Sequence, residues 1–317
     1  MHKYKVIVTA RSFGKADKQA QILLEENGCE VIKLEAANGP IEEQLLEEIV
    51  EADAIIAGLE EYSEATICAG KKLKVISRYG VGYDAVDVEA AKKHNVAVTI
   101  TIGANGDSVA DLAMALMLDV ARNVAYMHKT MQEKDSKRPM GIEMWEKTIG
   151  IIGTGRIGQG VAKRCQGFRM RILCFDMYEN EEFKKEVGVE YVDLKTLLKE
   201  SDFVSLHAPF TPETKNMINK DAFAIMKKNA IVVNTARGGI INEEDLYDAL
   251  VKGEIRGAGL DATLKEPPYD SELLTLENCI ITPHAGAATV EASNKMSFIA
   301  AQNVVDILAN KTCENMV

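Results

Sequence analysis

The segment Thr148–Gly160 constrains the fold more than any other part of the sequence, because it predicts a strand, a tight turn and a helix start within 13 residues. Three isoleucines in its first half favour a strand that is covered on both faces. Gly153, Gly155 and Gly158 then follow with the spacing of a dinucleotide-binding turn. The first allows the bend, the second lets a pyrophosphate approach the backbone, and the third lets the helix pack against the strand. The glycine pattern alone would also suit an ordinary strand-to-helix turn.

Asp176 favours the dinucleotide interpretation. A second strand is predicted over residues 170–175, and Asp176 follows it, roughly 20 residues beyond the first glycine, where an acid can accept hydrogen bonds from the adenosine ribose. Residues 177–182 contain three glutamates and neither arginine nor lysine. An added 2′-phosphate would meet negative charge there, so the sequence predicts NAD as the cofactor.

Length, charge and cysteine content limit the other possibilities. The 317 residues are enough for two domains, and the formal net charge of −11 argues against nucleic acid and anionic membranes as partners. The six cysteines show no paired spacing typical of zinc or redox sites, so no metal is predicted and reduced thiols are expected. A strand is predicted from Tyr4 onward, which leaves no room for a signal peptide, so we expect a cytoplasmic protein.

Alternating strand-like and helix-like runs predict an α/β fold with two Rossmann-like or flavodoxin-like parallel-sheet domains and a cleft between them. We expect a discontinuous substrate-binding (catalytic) domain, residues 1–100 plus 287–317. Its predicted strands are 4–9, 30–34, 54–57, 74–77 and 96–99. We expect the NAD-binding Rossmann domain over residues 101–286, with six strands at 148–152, 170–175, 203–206, 231–234, 257–260 and 279–282.

Two long helices are predicted besides those between strands. Asp107 and Ser108 can cap a helix that runs to about Tyr126, with Asp111 in the position of a capping-box acid. Its apolar centre is too short to cross a bilayer, so we expect it to be buried between domains or subunits. A last helix, from Thr289 to about residue 310, follows a sheet that is already complete. It is therefore expected to pack back on the first domain.

Two loops of the first domain follow strand ends, where parallel sheets present ligand sites. After the fourth strand, Arg78 could contact an anion, and Gly80 and Gly82 could expose backbone N–H groups to a carboxylate. After the first strand, Arg11 and Ser12 are further candidates. Arg11, Ser12 and Arg78 fit equally well as solvated loop residues that bind no ligand.

Three polar residues follow late strands of the second domain: Arg237, Glu266 and His284. Because the carboxyl ends of parallel strands share one edge, we expect them to meet near the nicotinamide end of a dinucleotide. His284 could exchange the proton of a hydroxyl that lies beside a carboxylate, while Glu266 fixes its tautomer and Arg237 holds the carboxylate. Taken singly, each residue also fits a purely structural role.

Three more residues in the second domain attract attention. Asp261 could accept a hydrogen bond from the nicotinamide amide, or it could cap a turn. His207 ends a strand and could line the cofactor groove, with its backbone expected to matter more than its ring. Asn242 is predicted to cap the helix that follows Arg237.

With these residues assembled, the sequence resembles the D-2-hydroxyacid dehydrogenase family, most closely its phosphoglycerate dehydrogenase-like branch. The resemblance runs from Arg78 to about Ala288, and its ordered motifs are Arg78–Asp87, the glycine turn with Asp176, Asn234–Gly239, Asp261 with Glu266, and Pro283–Gly286. The pair Ala262-Thr263 stands where the family commonly has Val-Phe, which could alter packing beside the nicotinamide. The chain ends at Val317, so the C-terminal regulatory domain of longer phosphoglycerate dehydrogenases, and feedback control through it, are not expected.

The resemblance implies a homodimeric, NAD-dependent oxidoreductase that interconverts a small D-2-hydroxy acid and its 2-oxo acid. It implies Arg237, Glu266 and His284 as the catalytic residues. The implied cofactor contacts are Gly153, Gly155, Arg156, Ile157, Gly158, Asp176, Thr235, Ala236, Arg237, Asp261, His284 and Gly286. The implied substrate contacts are Arg78, Val81, Gly82, Arg237 and His284.

The substrate itself stays open between the 3-phosphoglycerate/3-phosphohydroxypyruvate pair and acids of the hydroxypyruvate or glyoxylate type. A 3-phosphate would need cations beyond Arg237, and the candidates are Arg11, Lys15, Arg78 and Arg138. The alternative function is an NAD(H)-sensing binding protein of the corepressor type on the same scaffold.

Overall fold

The computed structural model describes residues 3–317, which divide into two compact units. Unit 1 contains the described residues up to Asn105 together with Ala287–Val317, and unit 2 is the continuous segment Gly106–Gly286. The expected first boundary, after residue 100, falls too early. Residues 101–105 belong to unit 1 because Ala104 packs in its core. Within the described residues, no helix is long and apolar enough to cross a membrane.

Unit 1 is built on five parallel strands, as predicted. They are β1 Tyr4–Val8, β2 Cys29–Lys33, β3 Ala54–Ala57, β4 Val75–Arg78 and β5 Ala97–Thr99, in the order β2-β1-β3-β4-β5. The helices α1 Gln19–Glu26, α2 Ile41–Glu48, α3 Glu64–Ala69 and α4 Val88–Lys93 alternate with them. Each central strand is buried on both faces, which explains its nearly continuous run of apolar residues.

Unit 2 begins with two helices and then alternates strands with helices. In chain order its elements are α5 Gly106–Arg122, α6 Val124–Gln132, β6 Thr148–Ile152, α7 Arg156–Cys165, β7 Arg171–Phe175, α8 Glu181–Val187, β8 Glu190–Tyr191, α9 Leu194–Glu200, β9 Phe203–Leu206, α10 Lys220–Ile225, β10 Ile231–Asn234, α11 Glu243–Lys252, β11 Gly257–Leu260 and β12 Cys279–Ile281. The parallel sheet has the order β12-β11-β10-β9-β6-β7-β8. It has seven strands where six were predicted, because β8 is too short to show a periodic pattern.

The long helix predicted from Asp107 to Tyr126 is two helices. Asn123 adopts a left-handed conformation with φ of 56°, which asparagine tolerates better than most residues, and this separates α5 from α6. α5 packs against β10, β11 and α7 of its own unit, and its expected place between domains or subunits stays a prediction. Asp111 does not act as a capping-box acid, because its carboxylate pairs with Arg164 at 2.6 Å.

The last helix, α12, spans Val290–Leu308 and begins after Thr289, whose side chain accepts a hydrogen bond from the Ala292 N–H. It packs against α1, β3, β4 and β5 of unit 1. Ala300 and Val304 are fully buried on its inner face. Unit 1 is therefore discontinuous in sequence, and α12 covers one face of its sheet.

Candidate active site

The glycine turn joins β6 to α7 beside the loop that follows β9. Gly153 has a φ of 91°, a conformation that favours glycine, and its N–H donates to the Phe175 carbonyl oxygen at 2.9 Å. A Cβ at Gly153 would lie 2.6 Å from the backbone of both His207 and Ala208. Since β6 and β9 are neighbours where the strand order reverses, the turn lies at the switch point at which open parallel sheets bind ligands.

The other two glycines have different surroundings. A Cβ at Gly158 would lie 2.0 Å from the Gly153 carbonyl oxygen, so no side chain fits there. A Cβ at Gly155 would meet no atom within 4 Å, and Arg156 and Ile157 follow as the first residues of α7. The first N–H groups of a helix lack partners within it and attract anions. The open backbone at Gly155 therefore fits a pyrophosphate.

Asp176 follows β7 directly, next to this turn. Its Oδ2 accepts hydrogen bonds from the Thr154 N–H at 2.6 Å and the Thr154 hydroxyl at 2.9 Å, and its Oδ1 accepts one from the Tyr178 N–H at 3.2 Å. Partial burial raises the pKa of Asp176, but these hydrogen bonds outweigh it, so the pKa lies below its ordinary value. An ionised carboxylate at this point fits the hydroxyl groups of a ribose.

His284 and Glu266 form a hydrogen-bonded pair. Nδ1 of His284 lies 2.8 Å from Oε2 of Glu266, and both side chains are 35% exposed. The hydrogen bond that Glu266 accepts raises the pKa of His284 despite partial desolvation, and the charges of Glu266 and Asp261 raise it further. Desolvation raises the pKa of Glu266, but its contact with His284 outweighs this and the pKa is lowered. The pair thus stabilises an imidazolium, and the Nδ1 contact leaves Nε2 for proton exchange.

Asp261 holds the loop that carries His284. Its Oδ1 accepts hydrogen bonds from the Thr282 hydroxyl at 2.6 Å and the Ala285 N–H at 2.7 Å, and its Oδ2 accepts one from the Gly286 N–H at 2.8 Å. The residue is 3% exposed. Of the two interpretations left open by the sequence, the structure shows Asp261 capping this turn. His284 itself has a φ of 51°, so a strained backbone position is held in place by these bonds.

Arg237 lies in the loop after β10, which Asn234 braces. The Asn234 side chain donates to the Arg237 carbonyl oxygen at 2.8 Å and accepts from the Ala236 N–H at 3.0 Å. Nη1 of Arg237 donates to the Ala236 carbonyl oxygen at 2.8 Å. A Cβ at Gly238 would lie 2.1 Å from the Thr263 carbonyl oxygen, so the loops that carry Arg237 and Glu266 touch backbone to backbone. The positive charge of Arg237 is close enough to lower the pKa of both Glu266 and His284.

Sequence reasoning missed Glu243, which looked like an ordinary acid in the first turn of α11. Its Oε1 accepts a hydrogen bond from the Leu264 N–H at 2.5 Å, within the loop that carries Glu266. Burial raises the pKa of Glu243, and the nearby charge of Glu266 raises it further. The Asn242 cap was predicted correctly, since its side chain accepts from the Asp245 N–H. A first-turn acid that follows a cap gives no sequence signal for a second role.

His207 is unsuited to acid–base chemistry. Its ring lies between the Ser205 hydroxyl, 2.9 Å from Nε2, and the Thr235 hydroxyl, 3.5 Å from Nδ1. Burial lowers the pKa of His207 to about 3, so the ring is neutral near pH 7. Its N–H donates to the Ile152 carbonyl oxygen at 2.7 Å, which continues the strand pairing beside the glycine turn.

The predicted substrate contacts Arg78, Val81 and Gly82 lie in unit 1. Arg78 ends β4 and is 9% exposed, and its Nη1 donates to the carbonyl oxygens of Ala57 at 3.1 Å and Tyr79 at 2.9 Å. Val81 and Gly82 follow in the next turn and are half-buried. Arg11 and Ser12 lie exposed after β1, and the Ser12 hydroxyl is 3.4 Å from that of Tyr79. The loops after β1 and β4 therefore meet at one edge of the unit 1 sheet.

A sheet of this strand order, with a glycine turn at its switch point and a histidine–carboxylate pair beside an arginine, defines the class of nicotinamide-dependent dehydrogenases. Residues 114–286 match the model of the D-isomer specific 2-hydroxyacid dehydrogenase NAD-binding domain. The chain belongs to the D-isomer specific 2-hydroxyacid dehydrogenase family.

Individual relatives cover nearly the whole chain. The D-3-phosphoglycerate dehydrogenase of Methanocaldococcus jannaschii is 45% identical over 91% of this chain and 56% of its own length, so this chain spans about half of that relative. The hydroxypyruvate reductase of Thermotoga maritima is 42% identical over 93% of this chain and 95% of its own. The solved apo-structure of D-lactate dehydrogenase from Escherichia coli matches with a TM-score of 0.87 and 30% identity over 99% of both chains.

Proposed function

We propose that this protein is an NAD-dependent dehydrogenase that interconverts small D-2-hydroxy acids and their 2-oxo acids. The observation that carries the proposal is the 2.8 Å contact between His284 and Glu266 in the unit that also contains the glycine turn. Family membership supports an enzyme over the corepressor-type alternative, because the relatives described above are named as dehydrogenases and reductases.

The cofactor is proposed to lie along the carboxyl edge of the unit 2 sheet. The pyrophosphate would lie against Gly153, Gly155 and Gly158 and the first helical residues Arg156 and Ile157. The adenosine ribose would meet Asp176. The nicotinamide end would lie near Thr235, Ala236, Asp261 and Gly286, which follow β10, β11 and β12.

Bound NAD would supply the hydride acceptor for oxidation at C2 of the hydroxy acid, and NADH would supply the hydride for the reverse reaction. In oxidation, Nε2 of His284 takes the hydroxyl proton as the carbonyl forms, and the carboxylate of Glu266 stabilises the resulting imidazolium. In reduction, the same imidazolium gives the proton to the developing alkoxide. Arg237 holds the substrate carboxylate and polarises the carbonyl oxygen.

Replacing His284 by alanine tests the proton carrier. We expect kcat to fall by about a hundredfold or more while NADH still binds, because general acid–base catalysis contributes about that much. His128→Ala is the matched control, since His128 is an exposed helix residue that contacts the Gln132 side chain. Near-normal turnover by the His284 variant would refute the assigned role.

The substrate class is proposed from unit 1 and from the relatives. Arg78, Val81 and Gly82 would contact the carboxylate end of a small acid such as hydroxypyruvate or glyoxylate. Similarity over nearly the full length of a hydroxypyruvate reductase supports this class.

A second candidate, 3-phosphohydroxypyruvate, is favoured by positive charge near the loop after β1. Nζ of Lys33 donates to the Phe13 carbonyl oxygen at 2.9 Å, and burial, followed by the charges of Lys15 and Lys18, lowers the pKa of Lys33. Arg138 lies in the exposed segment 131–140 of unit 2. Comparing kcat/KM for 3-phosphohydroxypyruvate and hydroxypyruvate decides between the two. A preference for the phosphorylated acid that Lys15→Gln abolishes would establish the second candidate.

We further propose a cytoplasmic homodimer. All six cysteines are free thiols and five are buried, as suits a reducing compartment. Light scattering in solution tests the dimer, and cell fractionation tests the location. Following NADH absorbance with a panel of 2-oxo acids separates the enzyme from a corepressor-type binding protein, which would show little turnover with any of them.

A further inference from the structure

Thr154 lies inside the glycine turn and is 5% exposed. Both of its polar donors reach one oxygen, since the N–H and the hydroxyl bond to Oδ2 of Asp176 at 2.6 Å and 2.9 Å. Two donors from one residue fix the orientation of a carboxylate much better than a single bond would. The side chain of Thr154 therefore does more than fill the position between two glycines.

Tyr191, from the short strand β8, completes this arrangement. Its hydroxyl donates to Thr154 Oγ1 at 3.0 Å and accepts a hydrogen bond from the Asn180 N–H at 3.2 Å. A hydroxyl has a single proton, so the donation from Tyr191 commits the Thr154 proton to Asp176. The result is a directional chain of hydrogen bonds that runs from the Asn180 backbone to the carboxylate.

We propose that Thr154 and Tyr191 are positioning residues that set the preference for NAD over NADP by holding the Asp176 carboxylate in one orientation. The inference rests on the proposed function. A fixed carboxylate accepts hydrogen bonds from ribose hydroxyls and repels a 2′-phosphate, whereas a carboxylate free to rotate can turn away from the phosphate. Removing one of these hydrogen bonds should therefore weaken NADH binding and leave NADPH binding unchanged or stronger.

The test measures the dissociation constants of NADH and NADPH by fluorescence titration, independently of turnover. For Thr154→Val we expect a Kd for NADH about tenfold higher, which corresponds to about 1.4 kcal/mol of binding free energy, with a Kd for NADPH that is unchanged or lower. Tyr191→Phe should change the ratio of the two constants in the same direction by about threefold. It keeps the ring and so tests the idea even if the valine variant fails to fold.

Two controls separate positioning from general damage. Thr154→Ser keeps the hydroxyl and should bind both cofactors like the unchanged protein. Tyr247→Phe removes a tyrosine hydroxyl from α11, which takes no part in this chain of hydrogen bonds. It should also change neither dissociation constant. In an Asp176→Ala background, Thr154→Val should have no further effect on NADH binding, because alanine leaves no acceptor for the Thr154 hydroxyl to hold.

Equal losses for NADH and NADPH in the Thr154 and Tyr191 variants would overturn this inference and leave the proposed function standing. Unchanged constants in both variants would also overturn the inference alone, as would an undiminished effect of Thr154→Val in the Asp176→Ala background. Failure of the unchanged protein to bind either cofactor would overturn the proposed function and the inference together.

Discussion

Replacing Gly158 by alanine should destabilise unit 2, because the new methyl group has no room. Its Cβ would lie 2.0 Å from the Gly153 carbonyl oxygen, where ordinary contact begins at 3.4 Å. The obstacle is backbone within the turn, so α7 would have to move away from β6. Overpacking that a flexible side chain cannot relieve lies at the upper end of the usual range, about 3 kcal/mol. For a unit of this size, that loss corresponds to a fall in Tm of about 6–12 °C.

Gly155→Ala is the matched comparison within the same turn. Its Cβ would meet nothing within 4 Å, and Gly155 has a φ of −67°, which alanine adopts without strain. Alanine is a poorer N-cap than glycine, but it also reduces the entropy of the unfolded chain, and these small effects oppose each other. We expect a change in stability within about 1 kcal/mol. NADH binding should nevertheless weaken, because the methyl group occupies the space proposed for the pyrophosphate.

Differential scanning calorimetry and NADH titration of both variants give the two measurements. The reasoning requires opposite outcomes, with Gly158→Ala losing stability and Gly155→Ala losing affinity. A Gly158 variant that melts within a degree of the unchanged protein would show that α7 does not pack this closely to the turn. A Gly155 variant with unchanged affinity would remove the pyrophosphate from this position.

Four further predictions concern the loops around His284 and Glu266. Glu266→Gln should lower the pKa of His284, because the carboxylate raises it in the unchanged protein. The pH at which kcat/KM for reduction falls should therefore move to a lower value. A pH profile identical to that of the unchanged protein would contradict the pairing. In the unchanged protein, the stability from this pair should be fully present between the ordinary pKa values of glutamate and histidine. It should be lost as pH rises through the raised pKa of His284 and as pH falls through the lowered pKa of Glu266, which calorimetry across pH measures. Asp261→Asn should lower the free energy of unfolding by about 1.5–3 kcal/mol and reduce kcat, because an amide cannot accept all three hydrogen bonds. Calorimetry that shows no loss of stability would refute this. Glu243→Ala should lower kcat several-fold, whereas Glu243→Gln should not, because glutamine still accepts from the Leu264 N–H. An equal fall in kcat in both variants would exclude the hydrogen bond as the cause.

The sequence predicted the sheets well wherever strands are buried on both faces. In β6, four of the five residues are buried, so the apolar run is continuous and its boundaries are clear. In contrast, β8 contains just Glu190 and Tyr191, and two residues cannot show a period. The break at Asn123 was also hidden, because apolar residues continue on both sides of it. Its left-handed backbone is a property of one residue that periodicity does not record.

For the candidate site, the sequence indicated residue types and loops but not the hydrogen bonds between them. Asp261 reaches the loop of His284 because β11 and β12 pair in a register that sets Leu260 opposite Ile281, and register across separated strands is a tertiary property. The roles of Thr154 and Glu243 depend on such neighbours as well. Each residue has an adequate local explanation, as a turn residue or a first-turn acid, so nothing in the sequence pointed further.

The position of α12 in the chain reverses the usual order of assembly during synthesis. Residues 290–308 leave the ribosome after all of Gly106–Gly286, yet they cover a face of the sheet that begins at Tyr4. Unit 2 can thus complete its fold while the older, N-terminal segment still exposes apolar surface. The unit whose synthesis begins first is therefore completed last, and in the interval its uncovered sheet face is open to aggregation or to chaperone binding.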